Sequence, residues 1–124
     1  MTIKDWFNFN GLKIATEKMN ILFVCSRNKW RSRTAEDLFK GNNEHHVKSA
    51  GTEPSAKITI SAKQIVWADI IFVMEKKHRQ RLLEKFPIEI ATKEIVILDI
   101  EDDYKYMDEE LVETLKTSVE PYLN

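Results

Sequence analysis

The chain has 124 residues and a mass of 14.6 kDa, which is room for one domain rather than two. Hydrophobic residues make up 43% and charged residues 31%, a globular composition that excludes disorder as a description of the whole. Lys plus Arg is 19 and Asp plus Glu is 20, so at a net charge of -1 nothing global drives the chain toward nucleic acid or a membrane surface.

Residues 1–18 mix acids, lysines and apolar residues and lack the basic-then-apolar order of a secretory signal. They read as an N-terminal extension of unknown role ahead of a single domain over 19–124. Either Met19 is the original start, or the segment packs on the domain through Trp6, Phe7, Phe9 and Leu12. Ile21 to Val24 is a continuous apolar run, the pattern of a strand buried on both faces, and it ends at Cys25. A polar loop follows from Ser26 to Trp30. From Ser32 the pattern turns helical, with Ala35, Leu38 and Phe39 at spacings of three and four, until Gly41-Asn42-Asn43 stops it. His45 to Ala50 reads as a strand ending at Gly51, and Ile60 to Ala68 as a short helix starting near Thr59 or Ser61. Ile70 to Met74 is a second strong buried strand. Lys76 to Phe86 reads as a helix with His78, Leu82, Leu83 and Phe86 on one side, ended by Pro87. Glu94 to Leu98 is a further apolar strand. An acidic stretch over 99–110 precedes a final amphipathic helix marked by Leu111, Val112, Leu115 and Val119. Strands alternating with helices predict an α/β domain with a parallel sheet and right-handed crossovers. The apolar runs are far shorter than the roughly 20 residues that span a bilayer.

The cysteine count adds a constraint. Cys25 stands alone, so no intramolecular disulfide and no multi-thiolate zinc site can form, and a reducing, cytoplasmic setting is the simplest expectation. A lone cysteine at a strand end is often just a small buried hydrophobe. Its context here favours chemistry. Cys25 and Arg31-Ser32 form C-x5-R-S between a buried strand and a helix start. A five-residue loop can curl so that its backbone N–H groups point at one anion, and the helix adds its N-terminal partial charge. Arg31 can return across the loop and hold two anion oxygens with its planar fork. The same features stabilise a thiolate, a nucleophile for phosphoryl transfer, and Ser32 could donate to the sulfur. The loop has no glycine, so Walker-type phosphate binding is not supported.

A leaving oxygen needs a proton donor. Asp99, Glu101, Asp102 and Asp103 lie in the other loop at the carboxyl edge of the sheet. Tyr104 and Tyr106 follow and could stack on an aromatic substrate. The blander reading is a solvated acidic loop facing the cations Arg27, Lys29, Arg31 and Arg33. His45, His46 and His78 show no metal spacing and read as surface or packing residues. Trp67 and Phe72 read as core, and Lys76, Lys77, Arg79 and Arg81 as a solvated helix face. Asp108-Glu109-Glu110 suit the positive end of the last helix.

These residues also resemble a known family. The run ILFVCSRNKWRSRTAEDLF is similar to the start of the low-molecular-weight protein tyrosine phosphatases, which carry V-C-x-G-N-x-C-R-S-P-x-A-E after the first strand. Ser49-Ala50-Gly51-Thr52 resembles the family's S-A-G-T, and ADIIFVMEKKHRQRL resembles its D-x-I-x-x-M-x-x-x-H segment. Glu101-Asp102-Asp103-Tyr104 resembles P-D-P-Y. The resemblance implies a three-layer fold with a four-stranded parallel sheet flanked by helices. It implies Cys25 as nucleophile, Arg31 as phosphate clamp and Asp102 as general acid, then general base. Ser26, Arg27, Asn28, Lys29, Trp30 and Ser32 would form the phosphate-binding loop. Asn28 and Ser49 would hold its shape, Ser32 would assist the thiolate, and Tyr104 would wall the cleft. No metal or organic cofactor is implied, and the partner would be a phosphorylated protein or a small phosphomonoester.

The departures are specific. Arg27 stands at the family's loop Gly, Lys29 at an apolar position, Trp30 at its second Cys, Arg33 at its Pro and Asp103 at the Pro of P-D-P-Y. Only 16 residues separate Thr52 from Asp69, where full-length members have a longer insertion with a helix and a buried histidine, so the chain resembles a shortened branch. Arg27 and Lys29 favour a more anionic substrate than neutral phosphotyrosine peptides. Two other functions remain open: a module that binds phosphate or a phosphoprotein without turnover, and an arsenate reductase relying on external thiols. RNA binding through Arg27 to Arg33 with Trp30 would rest on only four cations.

Overall fold

The computed structural model describes residues 18–41 and 44–123, together with two short N-terminal strands. Those strands, β1 (Phe7–Phe9) and β2 (Leu12–Ile14), pair antiparallel with Phe9 opposite Leu12, in a sheet of their own. Sequence reading anticipated no strand here, although Phe-Asn-Phe and Leu-Lys-Ile alternate around Asn10-Gly11, a strong hairpin signal. The expected packing of the extension through Trp6, Phe7, Phe9 and Leu12 lies outside the described residues.

The main sheet has four strands: β3 (Asn20–Cys25), β4 (His46–Gly51), β5 (Ile70–Val73) and β6 (Glu94–Ile97), in the order β4-β3-β5-β6. Every pairing is parallel. The helices are α1 (Arg31–Lys40), α2 (Ala62–Trp67), α3 (Lys76–Lys85), α4 (Pro87–Ile90) and α5 (Glu109–Leu123). This is the parallel α/β sheet that the alternating pattern predicts, in the three-layer, four-stranded form that the resemblance implies.

Two cores follow from the period-2 alternation of the strands. Ile21, Phe23 and Cys25 of β3 point to one face, where Ala35 and Phe39 of α1 and Leu111, Leu115 and Val119 of α5 cover them. Phe23 stacks between Phe39 and Phe72 at centroid distances of 5.7 and 5.2 Å. Leu22 and Val24 point to the other face, against Ile65 of α2, Leu82 of α3 and Ile90 of α4. A strand enclosed in this way has no exposed face on which to place polar residues, which is why β3 reads as unbroken hydrophobicity.

Several boundaries differ from the sequence reading, for local reasons. Helix α2 is shorter than Ile60 to Ala68, because Ser61 caps it and Gln64 reaches back to the Ser61 N–H. Pro87 does end α3, but it also occupies the first turn of α4, a position where its missing N–H costs nothing. Trp67 is half-buried at the margin of its core, with the Lys48 ammonium 4.4 Å from its ring centroid, whereas Phe72 is fully buried. The first turn of α5 is capped by Asp108, whose carboxylate accepts the N–H groups of Glu110 and Leu111. Lys76, Lys77, Arg79 and Arg81 are exposed, as expected. Among the described residues no helix is long and apolar enough to cross a membrane.

From β3 the chain crosses to β4 on one side, while β5 and β6 lie on the other. Because every pairing is parallel, the loops after β3, β5 and β6 meet at one edge, at the point where the strand order reverses. In open α/β sheets that crevice is where ligands bind.

Candidate active site

The loop from Cys25 to Trp30 is held from outside. The carbonyls of Cys25, Ser26 and Arg27 accept hydrogen bonds from the N–H groups of Thr52, Glu53 and Lys57, at 2.9, 2.9 and 3.0 Å. With these carbonyls turned outward, the N–H groups that follow them turn inward, which is the geometry of an anion-binding nest. One of them, Asn28 N–H, lies 3.2 Å from the Cys25 sulfur. The loop runs directly into α1, whose N-cap Trp30 makes no side-chain cap, so the first-turn N–H groups could add to the same anion nest.

Glycine is required at Gly51 by this close approach. A Cβ there would sit 2.5 Å from the Ser26 carbonyl oxygen and 2.8 Å from Asn28 N. Left-handed backbone in the loop falls on Asn28, at φ 55°, and not on Arg27. Asparagine tolerates that region well, and Arg27, at the position of the family's loop glycine, needs no left-handed backbone.

Beneath the loop runs a buried polar chain. Asn28 Nδ2 donates to Ser32 Oγ and to Ser49 Oγ, both at 2.8 Å. Ser49 donates onward to the Glu36 carboxylate. Ser32 Oγ lies 3.0 Å from Cys25 Sγ. Ser49 has one proton and Glu36 takes it, so Asn28 must turn its amino group toward the two hydroxyls. The cost is visible, because Asn28 Oδ1 is buried without a hydrogen-bond partner. Ser32, already accepting from Asn28, is left to donate to the sulfur when that sulfur is a thiolate.

Arg31 is 2% exposed and is fixed at one end. Its Nη1 donates to Glu75 Oε2 at 2.7 Å and to the Ile100 carbonyl at 2.8 Å. Its Nε lies 3.5 Å from Asp102 Oδ1. Burial pushes the Glu75 carboxyl up, but the hydrogen bond and charge of Arg31, with help from Lys77, outweigh it, and the net direction is down. Glu75 is therefore the counter-ion that lets a guanidinium sit inside the protein.

His78 narrows the sequence reading. Of the surface and packing roles that the sequence leaves open, burial at 1% exposure excludes the first, and the tie to the loop goes beyond packing. Its Nδ1 accepts from Glu75 N–H at 3.0 Å, so Nε2 carries the proton and donates to Ser26 Oγ at 2.8 Å. Burial first, then the nearby Arg31 charge, pulls its pKa down from 6.5 to about 4, which keeps the ring neutral. Glu36 and His78 stand at the last positions of two quoted family motifs, but the motifs alone do not say what those side chains touch, and Glu75 falls on an unspecified position. The other available signal was their place at the carboxyl edge, or one turn into the helix after the loop.

The pocket above the sulfur has a volume of about 60 Å³ and is lined by Cys25, Arg27, Lys29, Trp30, Arg31 and Asp102. Lys29 lies over the Trp30 ring, 4.6 Å from its centroid. Asp102 is 59% exposed and available to solvent. Tyr104 and Tyr106 are not among the lining residues. Tyr104 packs against the core margin and bonds Glu110, and Tyr106 bonds Asp37, so neither is placed to wall the pocket. The neighbouring acids Asp99, Glu101 and Asp103 do not line it either. Among the described residues, no group of three or more His, Cys, Asp or Glu could hold a metal ion.

Fold and loop together define a class: an α/β protein with a cysteine-floored anion loop at the switch point of a parallel sheet. The family described as low molecular weight phosphotyrosine protein phosphatase matches by sequence over residues 20–68, from β3 through α2. The fold agrees over most of the chain. The tyrosine phosphatase Wzb from Escherichia coli K30 in complex with phosphate superposes at TM-score 0.70 and 18% identity, covering 86% of this chain and 97% of that one. The tyrosine phosphatase AmsI of Erwinia amylovora gives 0.66 at 21% identity, covering 88% and 93%. The YwlE arginine phosphatase from Geobacillus stearothermophilus gives 0.64 at 21%, covering 85% and 88%. No curated protein matches by sequence. The chain shares the fold of these phosphatases along most of its length, and its sequence matches the family model from β3 through α2.

Proposed function

We propose that the protein hydrolyses phosphomonoesters, phosphotyrosine or a related aryl phosphate, through a phosphocysteine intermediate, in a reducing cytoplasmic setting. The observation that carries the reading is the Cys25 sulfur, facing Ser32 Oγ and the Asn28 N–H beneath a pocket that Arg31 and Asp102 also line. The Cys25 thiolate attacks phosphorus, the P–S bond forms, and the P–O bond to the leaving group breaks. Asp102, which lines the same pocket, gives its proton to the departing oxygen. Water then attacks the phosphocysteine while the Asp102 carboxylate takes its proton, and orthophosphate leaves as the P–S bond breaks. Arg31 and the inward N–H groups hold the equatorial oxygens throughout. Asn28, Ser49 and Ser32 support the thiolate, and the domain that does this is residues 19–124.

The test is p-nitrophenyl phosphate hydrolysis against pH. Cys25→Ser should fall to background, and Asp102→Asn should lose roughly 10²–10⁴-fold in kcat. Wild-type inactivity with retained binding of a phosphate mimic would instead make the protein a phosphate-binding module. Phosphoarginine deserves the parallel assay, since one structural neighbour is an arginine phosphatase. The three cations around the pocket suit the full dianion of an aryl phosphate better than a phosphoguanidine, whose guanidinium offsets one phosphoryl charge, so aryl phosphate should turn over faster.

A further inference from the structure

Beside the reaction pocket lies a second, larger groove of about 530 Å³, lined by Arg27, Lys29, Arg33, Ser55 and Lys57. Four of those five residues are cations and none is an acid, in a chain whose net charge is -1. Arg27 and Lys29 line both cavities, so the groove is continuous with the pocket over Cys25. Its shape is fixed by backbone. Lys57 N–H donates to the Arg27 carbonyl and Glu53 N–H to that of Ser26, so the segment carrying Ser55 and Lys57 is bonded to the loop itself.

The groove's cations are only weakly neutralised. The Arg27–Glu53 pair is 3.3 Å long between side chains 69% and 40% exposed, a contact that a substrate carboxylate can replace. Asp37, which feels the Arg33 charge, is itself bonded to Lys40 and Tyr106.

We propose that this groove is a specificity subsite for a second anionic group, and that the substrate is a phosphoprotein segment with carboxylates flanking the phosphorylated residue. The proposal rests on the phosphatase reading above and names the substrate class of that same site. Neighbouring residues of an extended peptide lie about 3.5–7 Å apart, and Arg27 and Lys29 line both cavities, so a flanking side chain of a bound peptide can reach the groove. Four cations in one groove are too few for the run of six to ten phosphate contacts that typically holds a nucleic acid.

The experiment compares two phosphotyrosine peptides of equal length, one with Asp and Glu on both sides and one with Asn and Gln. At low salt the acidic peptide should have a kcat/KM roughly 5–10-fold higher, and the ratio should fall toward one in 0.5 M NaCl. In Arg33→Gln/Lys57→Gln the preference should vanish while kcat on p-nitrophenyl phosphate stays at the wild-type value. Equal kcat/KM for the two peptides, a preference that survives the double substitution, or stronger inhibition by a 5′-phosphorylated oligonucleotide than by the acidic peptide would each overturn the proposal. Failure of the phosphatase reading looks different, as absence of p-nitrophenyl phosphate turnover by the wild type. The same peptide comparison, measured as Kd by calorimetry, then decides on the subsite.

Discussion

Glu36 sits far from the reacting atoms, and yet its charge sets which way a proton points next to them. Its carboxylate takes the Ser49 proton, Ser49 then accepts from Asn28, and the same amide holds Ser32 against Cys25. Without that acceptor the Asn28 amide can rotate, bringing its partnerless Oδ1 to the hydroxyls and drawing the Ser32 proton away from sulfur. Glu36→Ala should therefore slow both p-nitrophenyl phosphate turnover and alkylation of Cys25 by iodoacetate at pH 6, each by roughly ten-fold, about the worth of one hydrogen bond to a charged group. Glu36→Gln keeps an oxygen acceptor and should recover most of the loss. If Ala and Gln behave alike, the carboxylate is not orienting the chain. His78 gives a second prediction at this scale. Its neutral ring is preferred in the folded state, since the pKa drops from 6.5 unfolded to about 4. Between those values the unfolded chain binds the extra proton, so stability is full above pH 6.5 and falls as the pH drops toward 4. The whole fall corresponds to at most about 3 kcal/mol. Urea melts at pH 7, 5.5 and 4.5 should show it, and His78→Gln should flatten the slope. Cys25, Asn28, Arg31, Ser32 and Ser49 were legible because a loop motif fixes their spacing. The contacts of Glu75 and His78 were not legible, although His78 stands in a quoted motif, because it is the parallel pairing of β5 with β3 that brings them to the loop.

At the scale of elements, the connection after β4 matters more than its shortness suggests. Its N–H groups at Thr52, Glu53 and Lys57 set the orientation of three loop peptides, and Gly51 leaves the space for them. Gly51→Ala places a methyl 2.5 Å from the Ser26 carbonyl oxygen, so the loop must move. The expected result is about 1–3 kcal/mol of lost stability by denaturant melt, with loss of phosphate-mimic binding beyond what that destabilisation explains. Normal anion binding in this variant would mean that the loop is more compliant than its contacts imply. The strands were readable because burial on both faces leaves uniformly apolar runs. Helix α4 was not, since four residues after a proline carry too little periodicity to be distinguished from a turn.

Over the whole molecule, the fold class and the strand count followed from alternation alone, whereas the strand order did not. Parallel pairing puts the loops after all four strands at one edge, and the order β4-β3-β5-β6 decides where along it the crevice opens, between β3 and β5. A sequence pattern does not encode that order; it emerges from right-handed crossovers on opposite faces. It places α1 and α5 over one core and α2, α3 and α4 over the other. The loop of Cys25 opens between these two layers, so the site inherits its rigidity from both.

The pairing of Arg31 with Glu75 has a consequence for how the pocket empties. A guanidinium 2% exposed would be costly if orthophosphate were its only counter-ion, and each departure of product would uncover an unbalanced buried charge. Glu75 keeps that charge balanced whether or not an anion is bound. The grip on a departing oxyanion then comes mostly from oriented dipoles, which release a ligand more readily than a bare charge. Under the proposed reaction, weak product inhibition by orthophosphate is the expected outcome, and a high inhibition constant in p-nitrophenyl phosphate assays would show it.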